Sequence, residues 1–255
     1  MMTVAISIVS QKGGVGKTTT AVNLASALAV AEKDVLLIDL DPQGNATSAF
    51  GIDKKSISKS VYDVLTDGTD PQAVVQPTGI RFLHVLPAKM DLFRVEVELR
   101  NRVNKERVLS RFIDRLKERY AYILIDSPPS LGLLAFNAMT AADFLVVPVQ
   151  CGCYCLEAVE QMMHVVQVVK QRLNPGLNRA GLLMTMFSAD EDVCVGIAEA
   201  LRAQFGEDVF ETMIPFSQEL RNAGQRGGPL LVKDLDASLS RGYFRLALEI
   251  LQMTR

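Results

Sequence analysis

A chain of 255 residues with 49% apolar content carries enough hydrophobic material for a sizeable core, in one large α/β domain or two small ones. Its 27 basic and 29 acidic residues leave a net charge of −2, which excludes a global positive field drawing the chain onto nucleic acid or a membrane; any such binding has to be local or arise by assembly. No apolar run approaches the roughly 18 residues of a membrane span, the apolar N-terminal stretch lacks a basic flank, and the four cysteines show no disulfide-scaffold spacing, so a cytoplasmic protein is expected.

The elements begin with a strand, VAISIVS at 4–10, that runs straight into a glycine-rich loop and a helix opening near Lys17. Further strands are expected at 34–40 (DVLLIDL), 81–87 (RFLHVLP), 121–126 (AYILID), 144–150 (FLVVPVQ), 181–187 (GLLMTMF) and 209–214 (VFETMI). Several are almost wholly apolar, as strands covered on both faces are. Helical spacing separates them: Val108, Phe112, Leu116 and Tyr120 fall four apart, as do Met162 and Val166, and Leu201 and Phe205. This alternation predicts an α/β fold with a doubly wound, mostly parallel sheet flanked by helices, one domain over 1–255, with its ligand site at the carboxyl ends of the strands.

The loop QKGGVGKTTT (11–20) sits where a phosphate is held in such folds. Gly13, Gly14 and Gly16 let the backbone curl so that successive N–H groups point inward, and the following helix adds the positive end of its dipole. Gly13, Gly14, Val15, Gly16, Lys17, Thr18 and Thr19 are the candidate cradle. Lys17 is expected at the β- and γ-phosphates, and the Thr18 hydroxyl on Mg²⁺. The match to G-x-x-x-x-G-K-[ST] lacks its first glycine, because Ser10 or Gln11 stands there, and it adds a second lysine at Lys12.

Two apolar strands end in aspartate beside this loop: LLIDLDPQGN and YILIDSPPS. Asp126 is placed to hold Mg²⁺ through a water. Asp39 and Asp41 share one side of an extended strand; Asp39 reads either as a cap of the turn before Pro42 or as part of the metal shell. Asp41 is expected to orient the water that attacks the phosphate.

Together KGGVGKTTT, VLLIDLDPQGNAT, YILIDSPPSLGLL and VPVQC followed by a helix resemble the ParA/Soj branch of the ParA–MinD ATPases, P-loop NTPases whose deviant Walker A motif reads KGGxxGK[ST]. The resemblance runs from Val4 to the last helix. It implies ATP and Mg²⁺ as cofactors and a slow ATPase whose ATP-bound homodimer adheres non-specifically to DNA until a ParB-like protein stimulates hydrolysis. Such cycles partition chromosomes or plasmids. It assigns Lys12 as the signature lysine, reaching the phosphates bound in the partner subunit. It also puts Pro215 and Ser217, in MIPFS, at the adenine pocket.

Three stretches depart from that pattern. TMFSADEDV (185–193) places Asp190, Glu191 and Asp192, and IPFSQELR (214–221) places Phe216 and Glu219, where relatives carry arginines assigned to DNA contact. Carboxylates there repel phosphates. Basic residues remain at Arg221, Arg226, Lys233, Arg241 and Arg245, within a C-terminal part that is mixed in charge, and at 100–119, where eight Lys/Arg stand against three acidic residues. Arg107, Arg111 and Arg115 lie opposite the Val108/Phe112/Leu116 stripe, a solvated face or a contact for DNA or an acidic partner. Cys151, Cys153 and Cys155 read as small buried side chains rather than as ligands of a soft metal, and His84 and His164 as structural. A positioning ATPase for a non-DNA cargo is the alternative to partitioning, with a MinD-like membrane-associated ATPase beside it. The sequence LSRGYFRLALEILQMTR reads as the ordinary last helix, so membrane attachment is not expected.

Overall fold

The computed structural model describes residues 3–152, 155–217 and 238–254. Strand β1 (Val4–Ile8) lies inside a sheet with β5 (Tyr122–Asp126) on one side and β6 (Phe144–Gln150) on the other. Strands β2 (Val35–Asp39), β3 (Gln76–Pro77), β4 (Leu83–Leu86) and β7 (Arg179–Thr185) complete the order β3-β4-β2-β5-β1-β6-β7. Every pairing is parallel except β3 on β4. The doubly wound, mostly parallel sheet expected from the alternation is the fold observed.

Side-chain alternation explains the apolar strands. In β2, Val35 and Leu37 join a cluster with α1 (Lys17–Val30), whereas Leu36 and Ile38 face α3 (Val61–Thr66), α5 (Val108–Ile113) and α6 (Leu133–Ala141). At the other end Leu145, Val147, Leu182 and Met184 pack beneath α7 (Cys155–Arg172) and α8 (Asp192–Phe205). Helix α1 is buried almost all round, because α9 (Ser238–Met253) packs against it and seats Leu239, Tyr243, Leu246, Ala247 and Ile250 in the same core. The Thr20 and Tyr243 hydroxyls meet at 3.3 Å in that interface. The apolar face of α9 is therefore spent on the core, which argues against its use as a membrane anchor. Among the described residues no helix is long and apolar enough to cross a membrane.

The expected strand at 209–214 is not formed. Val209 and Pro215 make isolated bridges to Leu182 and Phe187, but between them the amides of Glu211 and Thr212 turn to the Glu249 carboxylate on α9, at 2.9 and 3.2 Å. Ahead of β4, Phe82 takes φ 66°, so that strand begins only at Leu83. The edge strand β3 contains Pro77 and is too short to leave a period in the sequence. Helix α5 stops at Ile113, although Leu116 and Tyr120 remain buried, because i→i+3 bonds from Arg115 to Phe112 and from Leu116 to Ile113 replace the α-helical ladder.

One close approach fixes the β7 edge. A Cβ built on Gly181 would stand 2.3 Å from Cε2 of the buried Phe210 ring, so only glycine lets that ring lie on the strand.

Candidate functional site

Beyond Ile8 the chain turns through residues 9–16 into α1, at the carboxyl end of the sheet. Gly14 and Gly16 adopt φ 78° and 91°, a region that penalises any side chain and that makes the tight curl possible. The Gly16 carbonyl accepts the first helical bond from Thr20 at 2.8 Å, and the first-turn amides of α1 are left for an anion. From β7 the Thr185 hydroxyl donates to the Val15 carbonyl at 2.9 Å, tying the loop to the opposite side of the sheet.

The two lysines are treated differently. Lys17 is 7% exposed, and its ammonium donates to the Lys12 carbonyl at 2.9 Å. Burial pushes its pKa down, opposed by the charges of Asp126 and Asp41. Lys12 is exposed, and no carboxylate within ion-pair distance meets its ammonium among the described residues.

The aspartates gather on the facing strand ends. Asp39 and Asp126 are register partners on β2 and β5, both completely buried. Asp39 is satisfied: Oδ1 accepts the Asp41 amide at 3.1 Å, and Oδ2 accepts the Thr47 amide and hydroxyl at 2.8 and 2.7 Å. Thr47, on α2 (Asn45–Ala49), also accepts the Ala88 amide at 3.0 Å. Of the two readings of Asp39, the structure supplies the hydrogen bonds of turn capping. Burial raises its pKa to about 6, with those bonds opposing and the Asp41 charge adding to the rise.

Asp126 is the opposite case. Among the described residues neither of its oxygens has a well-aligned hydrogen-bond partner, and the nearby Thr18 hydroxyl lowers its pKa only in part. Burial first, and then the Asp39 charge, holds it well above the usual carboxylate range. A carboxylate buried without donors is costly unless a cation compensates it. With Thr18 in the first turn of α1, these residues fit a hydrated divalent cation. Asp41 is nearly buried; its Oδ1 accepts the Gln43 amide at 2.9 Å, leaving the second oxygen for a water.

The remaining expected positions are less convergent. Pro215 bridges to Phe187, two residues past the loop-tying Thr185, so it lies at the loop end of β7; Ser217 follows, half-buried. Asp190, Glu191 and Asp192 are exposed, and so are Phe216, Arg241 and Arg245. Glu219, Arg221, Arg226 and Lys233 lie outside the described residues, as does Cys153. Cys155 is buried in the α7 core and burial pushes the Cys151 thiol up to about 12; among the described residues no group of three His, Cys, Asp or Glu could hold a metal. His84 packs edge-on against Tyr120 at 5.7 Å. Thr47, Thr185 and Asn137 were missed from sequence. Thr185 closes the apolar strand β7, a position that could have pointed to it, but Thr47 and Asn137 stand at the centres of α2 and α6, where no local signal marks them.

A P-loop flanked by two strand-end aspartates defines a nucleoside triphosphate hydrolase. The family model for an AAA domain matches residues 3–179. The chromosome partitioning protein ParA of Myxococcus xanthus is 42% identical over 247 residues, covering 97% of this chain and 87% of that protein. The sporulation initiation inhibitor protein Soj of Bacillus subtilis is 42% identical over 245 residues, covering 96% and 97%. Among solved structures, cobyrinic acid a,c-diamide synthase from Mycobacterium smegmatis with bound ADP and magnesium superposes with a TM-score of 0.87 at 30% identity, covering 99% of this chain and 96% of that one. The chain belongs to the ParA/Soj family of partitioning ATPases. It is an ATPase with ATP and Mg²⁺ as cofactors.

Proposed function

We propose that residues 1–255 work as one ATP-dependent dimerisation switch with slow hydrolysis, acting in chromosome or plasmid partitioning through non-specific DNA binding of the ATP-bound homodimer. The observation that carries this reading is the division between the lysines. Lys17 is turned inward at its own loop, while Lys12 keeps its ammonium in solvent at the mouth of the same loop. A cation outside its own site is available to phosphates presented by a facing subunit, and two facing phosphate sites repel unless such cations screen them.

Within one subunit, Lys17 and the first-turn amides of α1 hold the phosphates, with Gly13, Gly14, Val15, Gly16, Thr18 and Thr19 forming the cradle. Mg²⁺, held by Thr18 and the orphaned Asp126, supplies charge neutralisation on the phosphates. Asp39 fixes the strand end through Thr47. Asp41, anchored by Gln43, orients the attacking water. Pro215 and Ser217 stand at the adenine. A ParB-like partner accelerates the hydrolysis that ends the DNA-bound state.

A second reading, positioning of a non-DNA cargo, is favoured by the exposed carboxylates of Asp190, Glu191 and Asp192. Light scattering with ATP and Mg²⁺ tests the switch itself. Wild type is expected to dimerise, and Lys12→Ala to bind ATP yet stay monomeric. A Lys12→Ala dimer as stable as the wild type refutes the assignment in trans.

A further inference from the structure

The segment 100–119 concentrates eight basic and three acidic residues in a chain whose net charge is −2. The structure shows how that charge is displayed. Val108, Phe112, Leu116 and Tyr120 are all buried, so the opposite side of α5 and of the turn that continues it faces solvent, and Arg107, Arg111 and Arg115 are exposed there. Successive arginines at this spacing stand about 6 Å apart along a helix axis.

Neighbouring cations are already engaged. Lys117 pairs with Asp114 at 2.7 Å, Arg102 donates to the Leu65 carbonyl at 3.1 Å and Arg119 to Gln72 at 2.8 Å. No carboxylate comes within ion-pair distance of Arg107, Arg111 or Arg115 among the described residues. The same side also carries exposed Asp114, taken up by Lys117, and exposed Glu118, so the three guanidiniums stand in a row with no carboxylate at ion-pair distance among the described residues.

The face is also held firmly. The buried side chain of Asn137, on α6, accepts the Leu109 amide at 3.0 Å and donates to the carbonyls of Lys105 and Leu133, both at 2.9 Å. It thereby pins the start of α5 to a helix whose own start lies seven residues past Asp126. Side chains on a rigid element meet phosphates with less ordering cost than side chains on a loose loop.

We propose that the arginine face of α5, made by Arg107, Arg111 and Arg115, is the surface on which this chain binds the phosphate backbone of duplex DNA. The proposal rests on the DNA-binding part of the function given above, and it locates that binding away from the 185–193 segment, where exposed carboxylates now stand. Guanidiniums recognise phosphate by paired hydrogen bonds as well as by charge, without reading sequence.

The experiment is a salt titration of binding to a labelled random-sequence duplex. It compares wild type with the triple variant Arg107→Ala/Arg111→Ala/Arg115→Ala, each as the dimer formed with a non-hydrolysable ATP analogue. These arginines are exposed and none belongs to the proposed nucleotide site, so the variant is expected to form the dimer and to keep basal ATPase activity. The expected result is a loss of at least 10-fold in affinity, with the log K against log salt slope shallower by about 0.9 per lost phosphate contact, up to about 3 in all. An unchanged affinity and slope in the variant, with wild type binding DNA, overturns this location alone. A wild-type dimer that ignores DNA overturns the location and the DNA-binding reading together. Capture of poly-glutamate but not DNA by the wild type, lost in the variant, assigns the face to an acidic protein and likewise overturns the proposal.

Discussion

Asp39 and Asp126 sit side by side on adjacent parallel strands, both fully buried, yet among the described residues Asp39 is met by three donors and Asp126 only by the nearby Thr18 hydroxyl. The fold thus satisfies Asp39 with two backbone amides and the Thr47 hydroxyl and gives Asp126 no comparable set of donors among the described residues. That asymmetry separates two strand ends that look alike in sequence, and it is the ground for proposing Asp126 rather than Asp39 as the carboxylate nearest the cation.

The first prediction follows from Asp126. Both carboxyls have folded pKa values above the unfolded value of about 3.9. The folded protein therefore keeps protons that the unfolded chain has released. The stabilisation is full below about pH 4 and is lost as pH rises, through about 6 for Asp39 and through the likewise raised pKa of Asp126. In Asp126→Asn the nucleotide-free protein is expected to gain about 1–2 kcal/mol at neutral pH, with a flatter pH dependence, and to lose Mg²⁺-dependent ATP binding. Urea unfolding at acid and neutral pH measures the first part; a variant less stable than wild type at neutral pH contradicts it.

Lys17→Ala removes the ammonium that, among the described residues, is turned into the loop. Its carbonyl partner, Lys12, sits at the exposed mouth, where water replaces the lost donor. Stability is expected to stay within about 1 kcal/mol, while ATP affinity falls about 100-fold, the scale of a charge-assisted phosphate contact. Calorimetric titration showing wild-type affinity would remove Lys17 from the phosphate site.

Asp41→Ala separates binding from hydrolysis. One carboxylate fewer near Lys17 leaves ATP bound at least as tightly, whereas turnover is expected to drop about 100-fold or more. Single-turnover phosphate release is the readout; a wild-type rate would show that another group orients the water.

Asn137→Ala leaves the Leu109 amide and the Lys105 carbonyl without their partner in a buried contact. A loss of about 1–3 kcal/mol is expected, with faster amide exchange confined to the start of α5. Uniform exchange across the chain would mean that this side chain does not pin the helix.

How much of this was legible beforehand depends on whether the signal was local. The glycines, Lys17 and the two strand-end aspartates stand in short runs whose spacing carries the chemistry, and the apolar strands announce a sheet covered on both faces. What was illegible came from distant partners. VFETMI has strand composition, but Glu249 takes two of its amides, and nothing local reports a carboxylate some forty residues away. Likewise Asp39 reads as cap or ligand until Thr47 and Ala88 arrive from α2 and the end of β4 to complete its network. The periodicity of 108–120 gave the burial correctly and the helix length wrongly, since tight turns also bury every fourth residue.

The central place of β1 has a consequence for the order in which the chain becomes competent during synthesis. The strand that carries the nucleotide loop is made before its neighbours at residues 122–126 and 144–146, and before the helix at 238–253 that covers α1. Parallel partners so far apart close late, at a high entropic cost. A motif made ahead of its partners is therefore late to take shape, and a nascent chain acquires its grip on nucleotide only once residues as distant as 238–253 have folded around it.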